Sequence, residues 1–260
     1  MADQRKYTNK LQDKHVLIIG GSAGIGFGVA EASLESGAHV TISSSNPSRL
    51  SSAVNKLKAA YPSAADRISS HACDIGNEDT IEKNVAGLFE TVGSIDHVVY
   101  SAGDALATTP LRETSFAQMK QTGLVRFFGP LIAAKEAAKY LVSGPASSFT
   151  ITSGSVAERP LPDWAVVGSF AGGLASMARG LALDLKPIRV NLINPGVVDT
   201  ELWRMPEEQK RAIFKGYEEK MPTGRVGRVE DVAEAYLYCM KDQNLTGSVI
   251  STNGGSLLVG

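Results

Sequence analysis

Short runs of β-branched and other apolar residues alternate along the chain with longer stretches that have the apolar spacing of helices. One run, Val16-Leu17-Ile18-Ile19, is continuously apolar, as a strand covered on both faces should be, and is predicted at the centre of a sheet. The seven predicted strands span residues 15–19, 39–43, 68–72, 97–101, 148–152, 189–193 and 248–251. This alternation predicts an α/β fold in which a doubly wound parallel sheet of about seven strands carries helices on both faces.

Residues 200–225 interrupt the alternation between the sixth and seventh predicted strands. The segment Glu201-Leu202-Trp203-Arg204-Met205 is followed by a charged amphipathic stretch that continues to Lys220. An insertion that carries apolar residues near a ligand site is predicted to be a substrate lid. Trp203 is a candidate to close over an aromatic substrate, and the open alternative is a hydrophobic contact within the lid.

The composition fits one domain over residues 1–260, because a chain with 43% hydrophobic residues at this length can bury one large core. The net charge of -1 and the lack of a Lys/Arg run argue against nucleic acid or anionic lipid as partners. The polar start, Met1-Ala2-Asp3-Gln4-Arg5-Lys6, lacks the apolar region of a signal peptide. No apolar run approaches the roughly 18 residues of a membrane span. We therefore expect a cytoplasmic protein.

The cysteines and histidines are not placed for metal binding or triad chemistry. Cys73 and Cys239 lie in apolar surroundings without metal-ligand spacing, so buried reduced thiols are expected. Three histidines begin predicted strands and His71 lies within one, whereas open α/β folds bind ligands beyond the carboxyl ends of the strands. No metal site is predicted.

A glycine-rich loop follows the first predicted strand directly and opens a helix. It reads Gly20-Gly21-Ser22-Ala23-Gly24-Ile25-Gly26. Gly20 permits a tight turn, Gly24 lets the backbone approach a pyrophosphate, and Gly26 allows close helix packing. Together with the flanking strand and helix, the loop predicts a Rossmann-type dinucleotide site.

The end of the second predicted strand indicates which nicotinamide cofactor binds. It reads Ser43-Ser44-Ser45-Asn46, followed by Arg49, where an NAD site usually has a carboxylate for the ribose 2′-hydroxyl. Hydroxyl donors and a guanidinium suit a 2′-phosphate, so NADP(H) is favoured. The alternative is that the serines only cap the next helix and that Arg49 is solvated.

Four motifs together resemble the short-chain dehydrogenase/reductase family over essentially the whole chain. They are the glycine loop, Cys73-Asp74-Ile75, Ser101-Ala102-Gly103 and Asn194-Pro195-Gly196-Val197-Val198-Asp199-Thr200. The resemblance implies that Asp74 and Ile75 meet the adenine, that Ala102 and Gly103 line the ribose, and that Val197 and Thr200 hold the nicotinamide carboxamide. The further candidate cofactor residues are Ser22, Ile25, Ser101, Pro195 and Gly196. One position departs from the family pattern: Ile19 stands where threonine is common.

The family's proton-transfer pair is missing from this chain. No tyrosine or lysine occurs between Tyr140 and Lys186. Alignment on the helix end at residues 181–185 puts the family's Tyr-x-x-x-Lys positions at Val167 and Ala171. General acid catalysis contributes about 10²–10⁴ in rate, so reduction of a simple ketone or aldehyde should be slow. An iminium ion needs no such acid, because it already carries the positive charge that the hydride neutralises.

The other tetrad positions are also changed. The family's asparagine falls on Arg126, and only the serine remains, as Ser153 or Ser155. Arg126 lies in an apolar helix and is expected to face the pocket, where it meets an anion such as Asp163 or a substrate oxygen. Asp163 is either an anionic partner or proton acceptor for the substrate, or simply a helix N-cap. Trp164 offers a face for a cation or an indole, or forms a plain wall.

These features also resemble one fungal group, the bifunctional reductase/Diels–Alderases of the malbrancheamide and paraherquamide pathways. The resemblance implies that an NADPH hydride goes to an iminium-type prenylated dipeptide zwitterion and that the resulting azadiene undergoes intramolecular 4+2 cycloaddition to a bicyclic indole alkaloid. Two alternatives stay open: a non-catalytic NADP(H)-binding protein, and a carbonyl reductase with a proton relay through Asp163 and Ser153. Family resemblance further implies a homotetramer or homodimer built through predicted helices at 126–141 and 167–185.

Overall fold

The computed structural model describes residues 6–106 and 108–259; residues 1–5, which entered the targeting prediction, lie outside the described residues. The strands are β1 His15–Ile19, β2 His39–Ser44, β3 Ile68–Ala72, β4 His97–Tyr100, β5 Ser148–Thr152, β6 Arg189–Pro195 and β7 Val249–Thr252. The α-helices are α1 Gly24–Glu35, α2 Pro47–Ala60, α3 Ile81–Val92, α4 Phe116–Gly123, α5 Gly129–Ala137, α6 Ala165–Asp184, α7 Glu207–Glu218 and α8 Val229–Lys241.

All seven strands are parallel and lie in the order β3-β2-β1-β4-β5-β6-β7. The predicted α/β sheet is confirmed, and the strand ends differ from the prediction by one or two residues. β1 pairs with β2 and β4 and lies third, next to the central strand β4. The strand order reverses between β1 and β4, so a crevice opens beyond their carboxyl ends, where doubly wound folds bind ligands.

Alternate side chains of β1 enter two cores on opposite faces of the sheet. Leu17 joins Phe89 of α3 and Phe149 of β5 in one core. Ile18 joins Leu34 of α1 and Tyr236 of α8 in the other. Burial on both faces explains why β1 is continuously apolar.

Burial keeps the thiols and one histidine uncharged at neutral pH. Cys73 and Cys239 are free and buried, as predicted, and burial raises the pKa of Cys73 to about 11 and that of Cys239 to about 12. His97 is buried with its ring 2.9 Å from Ser148 Oγ, and burial lowers its pKa to about 3. These side chains contribute to the packing of the core and not to catalysis.

A π-helical turn, Leu124–Phe128, takes in the first three residues of the helix that the sequence predicts at 126–141, and α5 spans only Gly129–Ala137, which corrects the prediction. Pro130 has no N–H to give to the carbonyl of Arg126, so the regular α-helical pattern cannot continue through this point. Gly129 N–H bonds instead to Leu124 O, five residues back. Arg126 therefore projects from a π-turn, an element that is often found at functional sites.

The core supports this turn through a tyrosine. Because Gly129 N–H bonds five residues back, the Val125 carbonyl loses its α-helical donor. The buried Tyr100 hydroxyl donates to that carbonyl at 2.5 Å. A Cβ on Gly129 would overlap the Tyr100 hydroxyl, so this approach requires glycine.

Tyr100→Phe should lower the free energy of unfolding by about 1–3 kcal/mol, because it leaves the buried Val125 carbonyl without a donor. Urea denaturation measures the difference. Tyr140→Phe is the matched control, since the Tyr140 ring stacks on Phe89 and keeps that contact as phenylalanine. Equal losses in the two variants would contradict the role of the Tyr100 hydroxyl.

Helix α6 is long and apolar enough to pass a length-and-composition test for a membrane span, which the sequence analysis did not anticipate. Its most apolar 18-residue window is only 17% buried. The buried side chains Val167, Leu174, Met177 and Ala178 fix the helix to the rest of the fold. Nine of its other residues are half-buried and seven are exposed, with Leu183 as the large apolar side chain among the exposed ones.

The segment predicted as a lid, 200–225, begins just after β6, at the edge of the sheet where ligands bind. Its base is closed by backbone bonds: Asp199 N–H donates to Gly227 O at 3.0 Å, and Gly227 N–H donates to Val197 O at 2.9 Å. The charged amphipathic stretch forms α7, with Phe214 as its buried residue.

Candidate active site

The glycine loop packs directly on the chain that leaves β4. Gly20 has a φ of 98°, and a Cβ there would lie 2.5 Å from Ala102 N. A Cβ on Gly26 would overlap Gly20 O and Ser101 Oγ. The predicted phosphate loop and the predicted ribose-lining residues are therefore adjacent, at a spacing that only glycine permits.

An open polar rim follows β2. Ser22 Oγ donates to Ser44 Oγ at 2.9 Å, and Ser45 and Arg49 are exposed. Asn46 caps α2 by accepting from Arg49 N–H at 2.9 Å, so the helix cap is an asparagine and not one of the serines. The hydroxyls and the guanidinium stay accessible on one edge of the crevice.

Ser43 does not share this rim. It is fully buried, and its hydroxyl has no hydrogen-bond partner among the described residues. Its carbonyl accepts from Gly20 N–H at 2.9 Å and from Gly21 N–H at 3.1 Å. Ser43 therefore holds the glycine loop through its backbone, which corrects the hydroxyl contact that the sequence suggested.

A second edge of the crevice lies beyond β3. Asp74 is exposed and accepts from Gly76 N–H at 2.9 Å, whereas Ile75 is 5% exposed and belongs to the core. A cleft of about 410 Å³ lies here, lined by residues that include Ser45, His71, Asp74 and Lys83. The sequence pattern did not single out His71 or Lys83 as site residues.

The segment after β6 faces the glycine loop. Pro195 is buried, and Gly196 N–H donates to Thr252 O of β7 at 3.0 Å. A Cβ on Gly24 would lie 3.3 Å from Thr200 Cβ. The three predicted cofactor motifs after β1, β4 and β6 thus meet at one end of the sheet, with Val197 half-buried between them and the lid.

A carboxylate accepts a hydrogen bond from the first free backbone N–H of α1. Glu201 Oε2 accepts from Gly24 N–H at 2.9 Å. Helix N-termini bind anions, and a dinucleotide pyrophosphate is expected at this one. Glu201 therefore stands where a phosphate oxygen would otherwise find its donor.

Glu201→Gln should strengthen NADPH binding about two- to fivefold, because a carboxylate near a helix N-terminus contributes about 0.3–1 kcal/mol and must be displaced. Fluorescence titration of NADPH gives the dissociation constant. Glu218→Gln removes a charge at the far end of α7 and should leave the constant unchanged. Weaker binding by Glu201→Gln would show that the carboxylate assists the cofactor.

The positions predicted for the family's proton-transfer pair, Val167 and Ala171, lie on α6. Val167 is buried, and the Ala171 carbonyl accepts from Ser153 Oγ at 2.9 Å. Of the two candidate serines, Ser153 is the one whose hydroxyl contacts this helix, while Ser155 begins a short 3₁₀ turn. Neither Val167 nor Ala171 can supply a proton.

Arg126 has a partner that the sequence analysis missed. Its Nε donates to Asp104 Oδ1 at 3.0 Å, and its Nη2 donates to the Asp104 carbonyl. The predicted partner Asp163 is not the one that the structure shows. Asp104 directly follows the Ser101-Ala102-Gly103 motif, but a single acid in a loop gives no sequence signal of its own.

Asp163 and Trp164 lie in a turn just before α6. Asp163 is exposed with a φ of 64°, and Trp164 N–H donates to Leu161 O at 3.2 Å. Proline followed by a residue of positive φ is the combination that a type II turn requires. The helix begins at Ala165 with Trp164 at the N-cap, so the reading of Asp163 as an N-cap is wrong.

Trp203 is held within the lid segment. Its Nε1 donates to Val198 O at 2.9 Å, and its ring packs edge-on against Phe214 at 5.4 Å. It lines a cleft of about 380 Å³ together with Gly24 and Glu201. The structure thus shows the hydrophobic lid contact, the second of the two predicted roles.

That cleft is separate from the other candidate catalytic residues. The described residues that line it do not include Arg126, Ser153, Asp163 or Trp164. The structure thus joins Trp203 to Gly24 and Glu201 in this cleft, and joins Ser153 to α6 through its bond to the Ala171 carbonyl.

The comparison with known proteins agrees with this geometry over the whole chain. A model of the SDR-like Rossmann domain matches residues 7–259. The chain belongs to the short-chain dehydrogenase/reductase family. The short-chain dehydrogenase/reductase fsr5 of Gibberella fujikuroi is 45% identical, over 99% of this chain and 100% of its own length. The family protein malC of Malbranchea aurantiaca is 40% identical over the same shares.

Solved structures of the short-chain dehydrogenase/reductase family superpose closely. The MalC reductase/Diels–Alderase from Malbranchea aurantiaca has a TM-score of 0.92 at 40% identity and covers 98% of this chain and 100% of its own. A small-chain dehydrogenase in complex with NADPH has a TM-score of 0.77 at 28% identity, with 95% and 100% covered. The predicted family and Rossmann-type fold are confirmed, and the chain is an oxidoreductase of this family.

Proposed function

We propose that this short-chain dehydrogenase/reductase uses NADPH to reduce an iminium or zwitterionic indole alkaloid intermediate in fungal secondary metabolism. We further propose that it couples this reduction to a stereocontrolled intramolecular Diels–Alder cycloaddition. One observation carries the proposal: the cofactor loop is intact, while Val167 and Ala171 stand where the family has its proton-transfer pair. A protein that keeps the site for the hydride donor and lacks the proton donor is suited to reduce a substrate that already carries a positive charge.

The residues around the crevice fit NADP(H). Gly20 and Gly26 give a cradle that any Cβ would fill, and Gly24 N–H already accommodates an anion in the form of the Glu201 carboxylate. The accessible hydroxyls and guanidinium after β2 suit a 2′-phosphate, and no carboxylate among them would repel it. A relative of similar fold was solved in complex with NADPH.

When bound, NADPH supplies a hydride to the electrophilic carbon, which turns an iminium into an amine without a proton. The chain's own residues then have to bind and orient the substrate and do not have to give it a proton. Arg126 offers donors to a substrate oxygen. Trp164 offers an aromatic face for a cation or an indole, and the exposed Asp163 offers a counter-charge or a proton acceptor as the diene forms.

The likeness to MalC supports the coupled cycloaddition. That protein is a reductase/Diels–Alderase and matches this chain over nearly its full length. An intramolecular cycloaddition needs no acid or base of its own, only a pocket that holds the diene and dienophile in one arrangement. A relay from Asp163 to Ser153 finds less support, because the Ser153 hydroxyl donates to the Ala171 carbonyl.

The experiment that tests the proposal follows product stereochemistry. Wild type, Arg126→Ala and Asp163→Ala are mixed with NADPH and a reactive indole-diketopiperazine iminium, with Asp66→Ala as a control for loss of an exposed carboxylate elsewhere. We expect optically active bicyclic product from wild type and the control, and slower, less selective turnover from the two site variants. Racemic product at the uncatalysed rate with wild type would overturn the proposal.

The proposal includes a homodimer or homotetramer built through α6. The small-residue stretch Ala171-Gly172-Gly173-Leu174-Ala175 and the exposed Leu183 support close contact with a second copy. Analytical ultracentrifugation at micromolar concentration measures the mass. A monomer under those conditions would contradict this part of the proposal.

A further inference from the structure

The head group of Arg126 is fixed by a residue outside the family motifs. Asp104 takes two of its donors, Nε through the carboxylate at 3.0 Å and Nη2 through the backbone carbonyl. The two side chains are partly buried, 27% exposed for Arg126 and 34% for Asp104. Two bonds to one residue set the direction of the planar guanidinium and leave Nη1 unused by Asp104.

The guanidinium of Arg126 packs against Gly103. A Cβ built on Gly103 would lie 2.8 Å from Arg126 Cζ and equally far from Nη1 and Nη2. Equal distances to these three atoms mean that the guanidinium faces Gly103 flat. Gly103 follows Ala102, which packs on the glycine loop, so the charge of Arg126 lies beside the cofactor crevice.

The backbone at Arg126 is also held in place. The residue lies in the π-turn whose Val125 carbonyl is bound by the buried Tyr100 hydroxyl. With both the backbone and the head group held, the side chain has little freedom to find a second arrangement. Its charge therefore has one fixed place relative to the crevice.

We infer that Asp104 positions Arg126 and cancels its charge, so that the pair offers hydrogen-bond donors to a cationic or zwitterionic substrate without repelling the cation. This inference rests on the proposed function, in which the acceptor is an iminium. A lone guanidinium beside an iminium repels it, and partial burial strengthens that repulsion relative to water. Asp104 is thus a positioning residue that tunes which substrate charge the pocket admits.

Asp104→Asn removes the negative charge and keeps the side-chain size and the backbone carbonyl that binds Nη2. Two ligands of matched shape serve as probes: an indole dipeptide with a quaternary ammonium group, and its neutral carbon isostere. Calorimetry on wild type loaded with NADP⁺ gives the ratio of the two dissociation constants. Asp104→Asn should shift this ratio against the cation about tenfold, an effect that weakens with added salt.

Three further variants separate charge from structure. Asp104→Glu restores the carboxylate and should recover most of the wild-type ratio. Glu82→Gln removes an equal charge from the exposed ion pair with Lys135 of α5, 3.1 Å apart, and should leave the ratio unchanged. The double variant of Asp104→Asn with Arg126→Gln removes both charges, so its ratio should lie close to that of wild type, in which the two charges cancel.

A crystal structure of Asp104→Asn completes the test and does not depend on turnover. We expect the guanidinium of Arg126 to leave Gly103. An unchanged ligand ratio together with an unmoved Arg126 would overturn the inference, whatever the enzyme reduces. A shifted ratio in an enzyme that fails to reduce the iminium would instead overturn the proposed function and leave Asp104 in its role.

Discussion

Gly26→Ala is expected to weaken NADPH binding about 5- to 150-fold, because over-packing of this kind costs about 1–3 kcal/mol. The new methyl group would overlap Gly20 O and Ser101 Oγ. The Ser101 hydroxyl can rotate away, but Gly20 O is backbone at the tight turn and cannot move without opening the loop. The amides that should face the pyrophosphate then lose their common direction. Fluorescence titration measures the loss, with circular dichroism to confirm folding.

Gly216→Ala is the matched control. Gly216 lies within α7, and a Cβ there meets nothing within 4 Å. The same chemical change should therefore leave the NADPH dissociation constant as it is. Equal affinity in Gly26→Ala and Gly216→Ala would mean that the cofactor does not use this loop.

Wild type should prefer a reactive iminium over a simple ketone by about 10²–10⁴ in kcat/KM, the usual contribution of a general acid, because our proposal places no such group beside the nicotinamide. A ketone becomes an alkoxide on hydride addition and needs a proton donor close by. Val167 and Ala171 cannot give one, and Ser153 is committed as a donor to the Ala171 carbonyl. Steady-state kinetics with NADPH and both acceptors gives the ratio.

The double substitution Val167→Tyr with Ala171→Lys provides the internal check on this preference. It places the family's pair back on α6, four residues apart and on one helical face. Iminium reduction should become no faster, since no proton is required. A large gain with the iminium would show that the missing pair had been limiting after all.

The fold followed from the sequence because its signals are local. Residues 16–19 of β1 are all apolar since both faces of the strand are buried there, and the glycine loop allows few other structures. Pro130 also carried a local signal for the interruption of the helix, since a proline removes a helical donor. The apolar spacing on both sides nevertheless led to the prediction of one continuous helix.

The site was predicted less completely, because its contacts join distant segments. Asp104 reaches Arg126 across 22 positions, and Glu201 reaches Gly24 across 177. No spacing rule links such residues. Ser43 was predicted to contact the cofactor because it stands at the end of the second strand, but it lies within β2, where the alternation of the strand turns its side chain into the core.

Deuterium labelling tests whether hydride is transferred to a substrate that arrives charged. NADPH carrying deuterium at C4 is mixed with wild type and the indole-diketopiperazine iminium, and the product is examined by mass spectrometry and chiral chromatography. We expect one deuterium at the former iminium carbon and a single predominant enantiomer. Racemic product formed at the rate seen without enzyme would contradict this expectation.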